Sequence, residues 1–399
     1  MLKAKGNLLV GQSGGPSAVI NSSLCGIIEE AIKKEEIGEI IGMKNGIQGL
    51  LKEDLIDLRR QNPDVIKGLK RTPTMALGSC RYKLKEQEYD DILKIIAKYN
   101  IRYFLYIGGN DSMHTTHEIG RLAKEKGYEL YVIGVPKTID NDLLHNDHTP
   151  GYGSAARYNA IMATEICMDT ISLKYIEVVK VVETMGRNSG WVTAATALAG
   201  KYSPHLIYIP EIPFNAEKFL NDVKTVYDYQ GYVVIAACEG LKNPNGSFVA
   251  AFQSKMNIDP FGNPELGGLG QYLVDLIVQN LGLKTRLDKP GTMQRSSGSA
   301  ISKVDADEAY MVGAKAVNLA ISYITDKTVT LVRTSNSPYS CETGLANLED
   351  VAIETRKMPP EFIKKDQNNI TKAFIEYAAP LIGCPIHDYV ELADIKPKL

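Results

Sequence analysis

Short apolar runs rich in Val, Ile and Tyr recur along the chain, at NLLVG (Asn7–Gly11), EIIGM (Glu39–Met43), RYFLYIGG (Arg102–Gly109), LYVIGVP (Leu130–Pro136), IEVVKVVE (Ile176–Glu183), LIYIPE (Leu206–Glu211) and YVVIAACEG (Tyr232–Gly240). Between them lie amphipathic stretches of helical period, such as Asn21–Glu36 and Gly153–Ser172. A strand that is apolar at every position is buried on both faces, which is the signature of a parallel sheet with crossover helices. The pattern therefore predicts an α/β, doubly wound fold. In such sheets ligands bind outside the carboxyl ends of the strands, so those ends are where chemistry is expected.

A chain of 399 residues exceeds one ordinary core, and roughly two domains are expected. The best break is LLHNDHTP at residues 143–150. The tail from Asn336 is polar at first, then carries MPPEF and FIEYAAPLIGCP, and reads as an added helical or capping element. The 45 Lys and Arg nearly balance 47 Asp and Glu, so no global field favours nucleic acid or a membrane surface, and any anion site must be local. The six cysteines form no CxxC pair, which predicts reduced thiols. With neither a signal peptide nor a run of about 18 apolar residues, a cytoplasmic location is expected.

Unusual residues do collect at the strand ends. In GQSGGPSAVINSS (Gly11–Ser23), Gly14 and Gly15 allow close backbone approach and Pro16 suits a helix start, an arrangement that serves either an anion or a plain tight turn. In IGGNDSM, Asp111 follows two glycines and could bring Mg2+ to a phosphate, whereas Asn110 to Ser112 could equally be a helix cap. Capping does not account for the third end, PKTIDND: Lys137, Thr138, Asp140 and Asp142 suit a general base beside a cation that neutralises a transferring phosphoryl group. The remaining ends are VVETMGRNSGW with Gly186 and Arg187, ACEG with Glu239, and KTRLDKPGTMQRSS with Arg286 and Arg295 spaced to clamp an anion. His114 and His117 match no zinc pattern and are expected at the surface or as caps.

Taken in order, SGGPSAVIN, LGSCRY, GGNDS, PKTIDND, ETMGRNSGW, ACEG, KTR and MQR resemble the motif set of the phosphofructokinase family, over about residues 7 to 320. The resemblance implies two doubly wound, mainly parallel-sheet domains with the active site in the cleft between them. Residues 1–142 with roughly 290–335 would form the phosphoryl-donor domain, residues 143–289 the fructose 6-phosphate domain, and residues 336–399 a C-terminal extension packing on the core.

It also implies roles. Asp140 would take the proton from the 1-hydroxyl of fructose 6-phosphate, with Thr138, Ile139 and Asp142 holding the site. Met185, Gly186 and Arg187 would contact the sugar phosphate and Glu239 a sugar hydroxyl. Arg286 with Thr292, Met293, Gln294 and Arg295 would hold the 6-phosphate. Gly15 and Arg81 would face the donor, and Asp111 the Mg2+. ATP-dependent members carry glycine where this chain has Asp111 and Lys137; here the carboxylate would repel a nucleotide's α-phosphate and the ammonium would pair with pyrophosphate in the transition state. The expected activity is thus reversible, Mg-dependent phosphoryl transfer from pyrophosphate to fructose 6-phosphate, in a homodimer or homotetramer. The alternatives are ATP as donor, an acceptor such as sedoheptulose 7-phosphate, or a silent regulatory subunit.

Three positions depart from the family pattern: Asn110 for aspartate, Val178 for arginine, where Lys180 could compensate, and Thr292 for histidine. Two effector-binding arginines of bacterial members are replaced by Cys25 and Glu29, so that form of allosteric control is not expected.

Overall fold

A computed structural model describes residues 5–252, 266–393 and 395–397. Its strands, in chain order, are β1 (Gly6–Gln12), β2 (Ile37–Met43), β3 (Leu55–Asp57), β4 (Ile101–Gly108), β5 (Tyr131–Pro136), β6 (Val179–Thr184), β7 (Leu206–Tyr208), β8 (Val233–Cys238), β9 (Thr285–Asp288), β10 (Lys327–Asn336) and β11 (Tyr339–Asn347), followed by a short antiparallel pair, β12 (Ile363–Lys364) with β13 (Asn369–Ile370). All seven apolar runs contribute a strand. The first sheet has the order β11-β10-β5-β4-β1-β2-β3 and the second β7-β8-β6-β9. The second is wholly parallel, and the first is parallel from β10 to β2 with antiparallel strands at its two edges. This is the doubly wound α/β architecture that the apolar runs predict.

Alternation along the central strands divides the first core in two. Leu8 and Val10 of β1 join Leu105 and Ile133 beneath the helices Ile20–Ile32 and Lys303–Ile321, while Leu9, Phe104 and Val132 face Met113 and Ile119 of the helix Asn110–Glu125. Both faces of these strands are buried, so their side chains have no polar alternative and the runs stay apolar throughout.

The residues after 336 divide between the two sheets. Tyr339–Asn347 is not a separate helical or capping piece: it pairs antiparallel with β10 and becomes the edge of the first sheet. Further on, Phe374, Ala378 and Leu381 are buried with Trp191 and Ile207 against the second sheet. Trp191 stands edge-on to Phe362 at 5.9 Å between ring centres and lies 6.2 Å from Phe374. Because Phe374 is fully buried, Phe374→Ala should cost about 3–5 kcal/mol, read as a lower denaturant midpoint.

Candidate active site

The carboxyl ends of β1, β4 and β5 from one sheet, and of β6 and β8 from the other, open on one cavity of about 350 Å³. Pro136 closes β5, and the chain then bends through PKTIDND with Asn141 in the left-handed region at φ 54. Asparagine tolerates that conformation better than most residues. The turn is well anchored. The Lys137 N–H donates to Gly108 O at 3.0 Å and the Thr138 N–H to Pro150 O at 3.2 Å. The Asn141 amide donates to the Tyr377 hydroxyl at 3.0 Å and accepts from the Thr149 N–H at 3.0 Å. With Asn141 held from behind, Asp140 and Asp142 on either side of it both line the cavity. Thr138 serves both, accepting from the Asp140 N–H at 3.1 Å and hydrogen-bonding the Asp142 carboxylate.

Residues from four separate segments of the chain meet on one side of the cavity. Gly15, Arg81, Asp111 and Lys137 line the main cavity, and a recess of about 160 Å³ next to it is bounded by Gly14, Gly15, Asp111, Ser112 and Lys137. The buried Lys137 ammonium donates to Gly15 O at 2.7 Å, tying the β5 end to the glycine turn after β1. A Cβ built on Gly15 would stand 3.0 Å from Arg295 Nη1. The end of a long arginine can yield, so Gly15→Ala should leave the unfolding midpoint unchanged while raising the donor KM about tenfold, roughly 1.4 kcal/mol of lost anion binding.

On the other side, Met185, Gly186 and Arg187 follow β6, and Glu239 follows β8. Gly186 has φ 143, and a Cβ there would lie 2.7 Å from both Cys238 Sγ and Ser189 O, so only glycine fits this turn. Its N–H approaches Glu239 Oε1 at 3.4 Å. Arg295 enters from the short helix Met293–Ser296.

Burial sets the electrostatics. It pulls Lys137 down to about 8, a shift that Asp140 and Asp142 oppose. It pushes Asp140 up against the pull of Lys137, Arg187 and Arg295, and pushes Asp142 up to about 7, with Asp140 adding to the effect. Burial also raises Glu239 to about 7. Asp142, Glu239 and Lys137 are thus poised for proton transfer near neutrality.

Thirteen of the seventeen residues assigned a site role from the sequence meet at this cavity, Thr138 and Ile139 included. Four do not line it. Arg286 is 58% exposed and pairs with the buried carboxylate of Glu177, which needs a countercharge. Thr292 precedes the short helix, Met293 is 51% exposed, and Gln294 is buried with its side chain accepting from the Met185 N–H at 3.0 Å. Gln294 therefore supports the cavity wall from behind. Lys180, on β6 just after Val178, is buried with its ammonium held by Asp288 at 3.1 Å and Asp169 at 3.4 Å, and it does not line this cavity.

Sequence reasoning missed the tail's part in the site. Ala352, Ile353 and Thr355 line the cavity, and the Arg356 N–H donates to Asp142 O at 2.7 Å. It also missed His148, buried with Nδ1 at 2.8 Å from Asp147 Oδ1 and Nε2 at 2.7 Å from Glu308 Oε2, in the loop that returns from Asp142. No motif marked either; the buried aromatics of the tail were the available signal.

The phosphofructokinase family profile matches residues 7–320. A protein of Xanthomonas campestris pv. campestris (strain B100) described as pyrophosphate–fructose 6-phosphate 1-phosphotransferase is 40% identical over 386 residues, 94% of this chain and 91% of its own. One of the same description from Halomonas elongata is 40% identical over 389 residues, covering 95% of this chain and 92% of its own. The crystal structure of a pyrophosphate-dependent phosphofructokinase from Nitrosospira multiformis superposes with a TM-score of 0.87 at 37% identity, covering 98% of this chain and 95% of that one. With the profile spanning most of the chain and strand-end loops converging on one polar cleft, the chain belongs to the phosphofructokinase family.

Proposed function

We propose that this protein transfers a phosphoryl group from pyrophosphate to the 1-hydroxyl of fructose 6-phosphate, giving fructose 1,6-bisphosphate and orthophosphate. The observation that carries the donor assignment is the pairing of Lys137 and Asp111 on one recess, with the ammonium buried beside the glycine turn. A lysine there meets an inorganic anion directly, and a carboxylate repels the further phosphate of a nucleotide. Relatives named for that activity, similar over nearly the whole chain, support the reading.

In this reading the sugar phosphate lies against Met185, Gly186 and Arg187, with Glu239 taking a sugar hydroxyl. Asp140 accepts the 1-hydroxyl proton as that oxygen attacks the near phosphorus in line. The bridging P–O bond of pyrophosphate breaks and the far phosphate leaves as orthophosphate. Lys137 and Arg81 hold the charge that gathers on the transferring group, so catalysis is by position and electrostatics rather than by a covalent intermediate. Asp111 is the carboxylate among the residues lining the recess; with pyrophosphate bound it would be the group to hold Mg2+, which favours one carboxylate plus phosphate oxygens and would neutralise donor charge. Because the phosphoanhydride bond broken is replaced by a phosphate ester bond, and no nucleotide is consumed, the reverse attack of orthophosphate on the 1-phosphate should also be measurable.

The deciding assay supplies purified protein, fructose 6-phosphate and Mg2+ with either pyrophosphate or ATP. Turnover with ATP alone would overturn the donor assignment, and turnover with neither would favour the silent-subunit reading. Running sedoheptulose 7-phosphate beside fructose 6-phosphate tests the acceptor.

No helix among the described residues is long and apolar enough to cross a membrane. A homodimer or homotetramer is the proposed assembly, to be measured by light scattering. At the positions of the lost effector arginines, Cys25 is buried and Glu29 accepts from the Tyr310 hydroxyl at 2.8 Å. Effector titrations should accordingly give hyperbolic curves, and sigmoidal, nucleotide-sensitive kinetics would contradict this.

A further inference from the structure

Asn110 stands where the family commonly carries an aspartate; it borders both the main cavity and the recess beside it, but its amide nitrogen is engaged by the tail. Its amide nitrogen donates to Val351 O at 2.8 Å and to Glu354 O at 3.2 Å. These are carbonyls at the end of the helix Leu348–Ile353, where backbone acceptors lack partners within their own helix. Two carbonyls facing one side chain require a donor, which an amide has and a carboxylate lacks. That helix lies on the helix Asn110–Glu125, with Leu348 and Val351 buried in the same core cluster as Met113. On its far side the segment is fixed to the catalytic turn, through the Arg356 N–H on Asp142 O at 2.7 Å and an antiparallel bridge between Thr355 and Leu143. Held at both ends, Ala352, Ile353 and Thr355 form a wall of the reaction cavity next to Asp111.

We infer that Asn110 is a latch for this wall, and that the wall limits the donor to two linked phosphates. The inference rests on the pyrophosphate reading above and adds a steric element to the charges of Asp111 and Lys137. Asn110 is a positioning residue, acting through residues 351–355. Returning it to the family's aspartate would set a carboxylate against two carbonyl oxygens and release the segment, so Asn110→Asp should not behave as a gain of a metal ligand.

Chain length can be probed without a nucleotide by comparing inorganic tripolyphosphate with pyrophosphate, using calorimetry for binding and competition for kinetics. Arg81, Lys137, Arg187 and Arg295 in the cavity are matched by Asp111, Asp140, Asp142 and Glu239, and Asp111 already disfavours a third phosphate, so the wall's own share is read from the variants that move or trim it. In the unaltered protein tripolyphosphate is expected to bind at least tenfold more weakly than pyrophosphate. Asn110→Asp should narrow this gap at least fivefold and speed hydrogen exchange at amides 351–356, with the fructose 6-phosphate KM unchanged within about threefold. Ile353→Gly, which trims the wall at a side chain 73% exposed, should narrow the gap without faster exchange, and it tests the limit even if Asn110→Asp folds poorly. Equal affinity for the two anions in the unaltered protein, or an unchanged gap in Ile353→Gly, overturns the length limit. Unchanged exchange in Asn110→Asp overturns the latch. Failure of the unaltered protein to bind or turn over pyrophosphate overturns the donor assignment instead, and the exchange measurement still decides the latch.

Discussion

Asp140→Asn is expected to lower kcat by about 10²–10⁴-fold, the usual contribution of a placed general base, while KM for fructose 6-phosphate changes by no more than a few-fold. The side chain keeps its shape and loses only the capacity to take a proton. The pH dependence follows from the same cavity. Asp140 and Asp142 are raised by burial, the latter to about 7, and must be deprotonated to work, so activity should rise with pH up to that point. Lys137 is lowered to about 8 and must stay protonated, so activity should fall beyond it. A narrow bell in kcat/KM between these limbs is expected. Lys137→Met should abolish the alkaline limb and move the acid limb upward, since the ammonium is the largest influence opposing the rise of Asp140. A kcat within tenfold of normal in Asp140→Asn would falsify the assignment of the base.

Substituting both donor-side charges, Asp111→Gly with Lys137→Gly, should reduce kcat/KM for pyrophosphate by about 10²–10³-fold, on the scale of losing one preorganised donor at a developing charge. The ratio of ATP to pyrophosphate turnover should rise at the same time, because a repelling carboxylate and a filling side chain have both gone. If the wall at 352–355 also restricts the donor, adding Ile353→Gly should raise that ratio further. Unchanged pyrophosphate turnover in the double variant would mean that neither residue does what its place in the recess indicates.

Much of this site was legible because parallel strands advertise themselves. A strand buried on both faces is written as one apolar run, and the polar residues that break it stand at the sheet's ligand-binding edge. PKTIDND was conspicuous for this reason, and its lysine and two aspartates do share one cavity. Arg286 shows where such reading fails. Its spacing from Arg295 suggested a clamp, but side chains alternate along β9, and a buried glutamate 109 residues away at position 177 claims the guanidinium. No local spacing encodes that partner.

The tail was read least well. β11 alternates half-buried and exposed positions in a stretch rich in Ser, Thr, Gly and Asn, so as the outer strand of an antiparallel pair it lacks the apolar run that marks an inner strand. Its continuation reaches the site by contacts spanning hundreds of residues, from Val351 and Glu354 to Asn110 and from Tyr377 to Asn141. The sequence by itself determined the α/β class, the strand ends that bear chemistry and the residue types suited to phosphoryl transfer, because these follow from local periodicity and side-chain chemistry. Tertiary structure alone decided which arginines face the cavity, that burial shifts Lys137, Asp140 and Asp142, and that the tail forms one wall of the cavity. Those outcomes depend on desolvation and on hydrogen-bond partners brought together only by packing.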